Sequence, residues 1–225
     1  LMGGHSGVEI DKGRANACQI MGRVLYELYK EIPFSLCSLN GGLKDNAIPR
    51  QAEAVIVCPK KRQSEINTKI AEISAEIKHE FLETDPMILV EAKETTLVEK
   101  ELTMTKDSAD KVITALLCLP GGIQKMSFRM KGLVKTSLNL GIMKTQRDHV
   151  SLSFSVRSSV ESEKRALLNR IICLTKTLGG TVTANGDYPA WEYLEKSPLR
   201  DLMCRIFEEQ YGREPIVEAL HAGVE

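Results

Sequence analysis

Two histidine–glycine clusters stand far apart in the chain, "MGGHSG" at residues 2–7 and "HAGVE" at residues 221–225. His5 lies among Gly3, Gly4 and Gly7, and glycines let a backbone approach a ligand closely while leaving the imidazole in the open. Asn46, in "DNAIPR", carries an amide that can donate to one group and accept from another. Arg157 ends the alternating run "HVSLSFSVR", which puts it on the face of Ser151, Ser153 and Ser155, opposite Phe154. A planar guanidinium at such a rim grips a carboxylate through two parallel hydrogen bonds. Each residue also has a plainer reading. His5 can be a solvated turn histidine, Asp45-Asn46 ordinary turn chemistry before a proline, and Arg157 a surface charge. His79, His149 and His221 are isolated in the sequence, and a lone histidine is more often a packing or surface residue than a ligand.

The composition excludes several classes. Lys plus Arg equals Asp plus Glu at 30 each, so no net field recruits nucleic acid or an anionic membrane. Aromatic residues make up only 5%, too few for base-stacking platforms. The six cysteines (Cys18, Cys37, Cys58, Cys118, Cys173 and Cys204) are scattered, with no CxxC and no close cysteine–histidine pair. That spacing argues against a zinc site or a disulfide scaffold and for reduced thiols beside apolar residues. No apolar run approaches the ~20 residues that span a bilayer, and no signal peptide is visible. The sequence reads as a soluble, cytoplasmic protein. It starts at Leu1 and closes on "HAGVE", and both edges read as cuts within a longer chain.

The elements that must position these residues come twice in the same order. Ala17, Ile20, Val24 and Leu28 recur at helical spacing until Pro33, where a helix cannot continue. "FSLCSLNGG" and "AEAVIVCP" read as strands, and Ile66, Ile70, Ile73 and Ile77 give a second amphipathic helix. "PMILVEAKET" is a third predicted strand. The pattern then repeats: a helix through Ala109, Val112, Ile113, Leu116 and Leu117, strands "LVKTSLNLGIMKT" and "HVSLSFSVR", and a helix through Leu167, Ile171 and Leu174. Ser158 and Glu161 fit a capping box for that last helix, and "TVTANGDYP" is the closing strand. This predicts an α+β fold of duplicated helix–strand–strand–helix–strand units, with helices packed on one face of an antiparallel sheet. The duplicated domain covers residues 1–192, as repeats of about 1–100 and 101–192. Residues 193–225 form a further helix, with Ser197, Pro198 and Gly212 as its end signals, and a return segment.

Four strings, "GGHSGVEIDKGRANA", "LNGGLKDNAIPR", "GDYPAWEY" and "EALHAGVE", together resemble the aminoacyl-histidine (Xaa-His, carnosinase-like) dipeptidases. These belong to the two-metal peptidase group that includes carboxypeptidase G and the aminoacylases. The first two strings mark the broad group, the last two the dipeptidase branch. The resemblance spans nearly the whole chain, with Val224 standing where the family has leucine.

The resemblance implies that the chain is a lid, returning after residue 192 into a catalytic domain that holds two divalent metals. Zinc is the implied metal, with manganese or cobalt as alternatives, and no metal ligand falls in this stretch. His5 would stabilise the oxyanion formed at the scissile carbonyl. Asn46, Arg157, His221 and Gly223 would bind substrate, with Arg157 taking the C-terminal carboxylate. The implied partners are a dipeptide, the catalytic domain of the same chain, and a second copy in a homodimer; no nucleic acid or membrane partner is implied. In relatives with half-sized lids, the histidine and asparagine come from the partner's lid. Here His5 and Asn46 lie in the first unit and Arg157 in the second, as if that contact had become intramolecular. Without the ligands the stretch alone would be inactive, and "HAGVE" would be frayed or displaced. Two other readings stay open: a stand-alone α+β dimerisation or small-ligand-binding module, and the lid of a related carboxypeptidase or aminoacylase.

Overall fold

In the computed structural model, which describes residues 1–95 and 103–223, Asn16 starts the first long element. Its side-chain oxygen accepts from the backbone N–H groups of Cys18 and Gln19, two of the donors that a helix start leaves unpaired. Helix α1 (Ala17–Glu31) buries Val24, Leu25 and Leu28 and ends at Ile32. Strands β2 (Ser35–Gly41) and β4 (Ala52–Val57) form an antiparallel pair. Between them in sequence, β3 (Ala47–Ile48) pairs instead with β1 (Gly4–His5). Helix α2 (Gln63–Glu80) packs Ile66, Ile70, Ile73 and Ile77 against Val24 and Leu28 of α1.

The second half supplies α3 (Lys106–Cys118), β5 (Gly122–Met126), β6 (Val134–Thr145), β7 (Val150–Ser158) and α4 (Glu161–Thr177). Thr105 caps α3 through a hydrogen bond from the Ser108 N–H. The five-stranded sheet is antiparallel throughout and centres on the long β6. β7 runs along one edge of β6. The other edge is shared, with β5 pairing at Val134–Leu138 and β2 at Met143–Lys144. Through that last contact the two halves form one sheet. At the junction Gly42 has φ +69°, and a Cβ there would stand 1.8 Å from the Gly141 carbonyl oxygen, so only glycine fits.

The helices cover one face. Cys18 and Leu25 of α1, Leu36 and Leu39 of β2, Ile113 and Leu116 of α3, and Leu140 and Met143 of β6 form one core crossing both halves. Leu138 continues it to Leu167 and Ile171 of α4, with Leu152, Phe154 and Val156 of β7 alongside. The alternate residues of β6 are polar yet buried: Ser137 and Asn139. Helix α5 (Pro198–Tyr211) has the anticipated ends, with Ser197 accepting from Arg200 N–H and Gly212 left-handed at φ 65°. None of its residues is buried.

The α+β class and the antiparallel sheet are as expected from the sequence; three local features are not. Residues 86–95 form no strand. Ile88 packs into the α1–α2 cluster, and Asp85 before it is fully buried and accepts from the backbone N–H of Met2, so the segment is held by helices, not by a ladder. Residues 181–189 likewise form no strand; Lys164 fastens that stretch by donating to Asp187 Oδ1 and the Tyr188 carbonyl. The capping box at Ser158 and Glu161 also fails. Ser158 Oγ accepts from Val160 N–H, Val160 occupies the cap position, and Glu161 accepts from Ala190 N–H. Conversely, β5 was not anticipated, because "GIQKM" lacks alternation.

Candidate functional site

His5 is shaped by its own turn. Its backbone pairs with Ala47 across β1 and β3, and its N–H donates to Glu9 Oε2 at 2.8 Å. Glu9 is held in turn by Arg14, whose Nη1 also donates to the Gly3 carbonyl. The His5 backbone hydrogen bond, with Arg14 beside it, lowers the Glu9 carboxyl below its ordinary range. The imidazole Nδ1 accepts from the N–H groups of Gly7 and Val8, at 3.0 and 3.2 Å. A neutral ring whose Nδ1 accepts carries its proton on Nε2. The half-buried side chain therefore presents one N–H donor.

Asn46 is brought beside it. Ser6 N–H donates to the Asn46 carbonyl at 2.9 Å, and the Asn46 side chain is exposed. The turn that carries Asn46 is gripped from the other half of the chain: Asn139 Nδ2 donates to the carbonyls of Asp45 and Ala47, at 2.9 and 2.8 Å. Between His5 and this turn, Ser6 Oγ is buried without a hydrogen-bond partner.

Arg157 lies on the polar side of the sheet, opposite Ser137 in the β6–β7 register. Its Nη1 donates to the Tyr188 hydroxyl at 3.3 Å, and its Nε is buried without a partner among the described residues. Among the described residues no carboxylate pairs with it.

Residues 221–223 of the return segment are packed against the domain, while Val224 and Glu225 lie outside the described residues. His221 Nε2 lies 2.7 Å from Ser137 Oγ. A Cβ added to Gly7 would stand 2.6 Å from the His221 carbonyl oxygen and 3.0 Å from His5 Cε1. A Cβ added to Gly223 would stand 3.5 Å from the Tyr188 hydroxyl and 3.8 Å from Arg157 Nη1. Over residues 221–223 the fraying or displacement anticipated for "HAGVE" is not seen, because β6 and the His5 turn supply a packing surface. Burial, with the nearby Arg157 charge, pushes the His221 imidazole down to about 4, against a weaker opposing hydrogen bond with the Val134 backbone. The ring is neutral at neutral pH.

Residues 221–223 thus touch both the His5–Asn46 turn and Arg157, and all five anticipated residues fall along one series of contacts. Ser137, Asn139 and Tyr188 join this series of contacts without having been singled out by spacing. The available signal was a serine and an asparagine inside the apolar run "SLNLGI", since a buried polar side chain in a strand must have partners.

Residues 1–85 match the peptidase dimerisation domain of the M20 group. Cytosol non-specific dipeptidase of Escherichia coli (strain K12) is 30% identical over all 225 residues, which make up 46% of that protein. The crystal structure of aminoacylhistidine dipeptidase from Vibrio alginolyticus superposes with a TM-score of 0.90 at 28% identity, over 100% of this chain and 45% of that one. The chain spans about half the length of the relatives it matches.

Both relatives are peptidases by name. Among the described residues no three His, Cys, Asp or Glu side chains gather as metal ligands. Among the described residues no helix is long and apolar enough to cross a membrane.

Proposed function

We propose that the chain is the lid and substrate-binding portion of a cytoplasmic, metal-dependent dipeptidase acting on Xaa-His and related dipeptides. Its two divalent metals, zinc with manganese or cobalt as alternatives, are assigned to the part of the protein outside these residues. The 225 residues alone are then inactive, since peptide hydrolysis in such enzymes needs an activated water and a general base.

The geometry supports the following roles. His5 Nε2–H donates to the scissile carbonyl oxygen as it becomes an oxyanion. Asn46 binds the dipeptide backbone, and Arg157 takes the C-terminal carboxylate. His221 and Gly223 line the site between them. The lid is a duplicated domain of residues 1–192, with repeats of about 1–100 and 101–192, and residues 193–225 return towards the catalytic part. The matched dimerisation domain also supports self-association of the whole protein.

The observation that carries this reading is Arg157. A partly buried guanidinium that has, among the described residues, no partner for its Nε and no carboxylate beside it is costly unless an anion completes it. A free C-terminal carboxylate matches that need. The test is hydrolysis of an Xaa-His dipeptide and of its C-terminal amide by the full-length protein loaded with zinc or manganese. The free acid should be strongly preferred, and Arg157→Ala should abolish the preference. Equal hydrolysis of acid and amide by the parent protein would sink the assignment.

A further inference from the structure

Ser137 sits in the middle of the polar stripe of β6 and is only 1% exposed. Residues directly opposite on antiparallel strands share a face, so its partner in the register, Arg157, lies beside it. The Ser137 hydroxyl meets His221 Nε2 at 2.7 Å, a short, well-formed contact. From this one ring the return segment extends both ways: the His221 carbonyl lies against Gly7 in the His5 turn, and Gly223 lies against Tyr188 and Arg157. The His221 ring also meets the Val134 backbone, and the Arg157 charge lies near it. Among the described residues, Ser137 is the side chain that hydrogen-bonds the ring.

We propose that Ser137 is a positioning residue, whose hydroxyl donates to His221 Nε2 and so fixes residues 221–223 between the His5 turn and the Arg157 guanidinium. A neutral imidazole has one donor and one acceptor nitrogen. With Ser137 donating to Nε2, the proton sits on Nδ1, free to meet the Val134 backbone. The Arg157 charge next to the ring favours this neutral state, and the neutral ring leaves the guanidinium's field to the substrate carboxylate. Alanine at 137 would leave a buried ring nitrogen without its donor and a segment free to swing away from both halves of the site. The effect falls on substrate binding, because Ser137 sets the surroundings of Arg157 and not the group at the scissile bond.

This inference rests on the dipeptidase reading for its kinetic part and stands apart from it for its structural part. The experiment compares the full-length protein with its Ser137→Ala, Ser137→Thr and His221→Gln variants, and with the Ser137→Ala/His221→Gln double variant. Nitrogen spectra of histidine-labelled protein, assigned by loss of the His221 signal in His221→Gln, read the tautomer directly. The parent should show one fixed Nδ1–H tautomer. Ser137→Ala should give an averaged ring and a dipeptide KM raised about tenfold, with kcat within about twofold, the scale of one buried hydrogen bond. His221→Gln should give the same rise, the double variant no more, and Ser137→Thr should restore the tautomer. Ser137→Cys, a weaker donor of similar volume, reads the same quantities if the alanine variant does not fold. An unchanged His221 signature in Ser137→Ala, or a freed ring with unchanged KM, overturns the proposal. A parent that hydrolyses no dipeptide overturns the dipeptidase reading instead, and the spectra still decide the anchor.

Discussion

Asn16 Nδ2 donates to Asn139 Oδ1 at 3.1 Å, and both residues are buried. Asn16 caps α1 with its oxygen and also donates to the Leu140 carbonyl; Asn139 uses its own amide on Asp45 and Ala47. The pair ties the first helix, the middle strand and the turn of Asn46 into one network across both halves. Replacing Asn139 with the near-isosteric leucine removes the amide that serves the Asp45 and Ala47 carbonyls and leaves one N–H of the Asn16 amide without its acceptor. The expected loss is about 2–4 kcal/mol, since unsatisfied buried groups carry their full desolvation cost. Urea unfolding measures it, and faster amide exchange at Ala47 should accompany it. A change below ~0.5 kcal/mol, the range of surface substitutions, would show that the network is not a structural link.

Gly7 gives a second prediction. Its Cβ position is taken by the His221 carbonyl and flanked by the His5 ring, so Gly7→Ala cannot be accommodated without movement. Overpacking of this kind typically costs ~1–3 kcal/mol. The strain should be relieved locally, by release of residues 221–223 and not by global unfolding. Limited proteolysis should cut the 212–223 stretch faster in the variant, while the thermal midpoint moves little. Equal cleavage would mean that the contact with Gly7 does not hold the segment.

These two sites also show what the sequence could reveal. Helix α2 was legible because its four isoleucines repeat with the helical period and all end up buried, and β7 because serines alternate with apolar residues. Residues 86–95 and 181–189 misled because short apolar or β-branched runs look alike whether a ladder partner exists or not. Ile88 found helices, and Tyr188 found Lys164 and Arg157. His5, Asn46 and Arg157 could be named from local strings. Ser137 and Asn139 could not, because their partners lie 84 and more than 90 residues away, and only the fold brings them together.

Glu163 near the start of α4 predicts a pH dependence. Burial opposes its charge, but hydrogen bonds from Lys125, Lys135 and Thr136 outweigh that and hold the carboxyl down to about 2. A folded-state value below the ordinary 4.5 means the stabilisation is complete above that pH and is lost as pH falls through about 2. Its size is on the order of 1–3 kcal/mol after allowing for solvent. Glu163→Gln should therefore be less stable than the parent at pH 7 and nearly equal to it near pH 2. A constant difference between the two unfolding curves across that range would show that the ion pairs contribute nothing.

His5 offers the most direct test of chemistry. Its Nδ1 is saturated by two backbone N–H groups of its own turn, and its backbone N–H is occupied by Glu9. The ring cannot easily rotate or exchange tautomers, so Nε2–H is a donor whose direction is set before substrate arrives. Preorganisation of that kind acts on the transition state, where charge appears on the carbonyl oxygen, and less on the bound substrate. In the full-length protein His5→Ala should lower kcat by roughly 10²–10³, the usual effect of removing one oxyanion donor, with KM changed much less. Glu9→Gln should fall between the two, because it loosens the turn without removing the donor. A His5→Ala variant that raised KM and left kcat intact would place His5 in ground-state binding, and the oxyanion role would pass to another group.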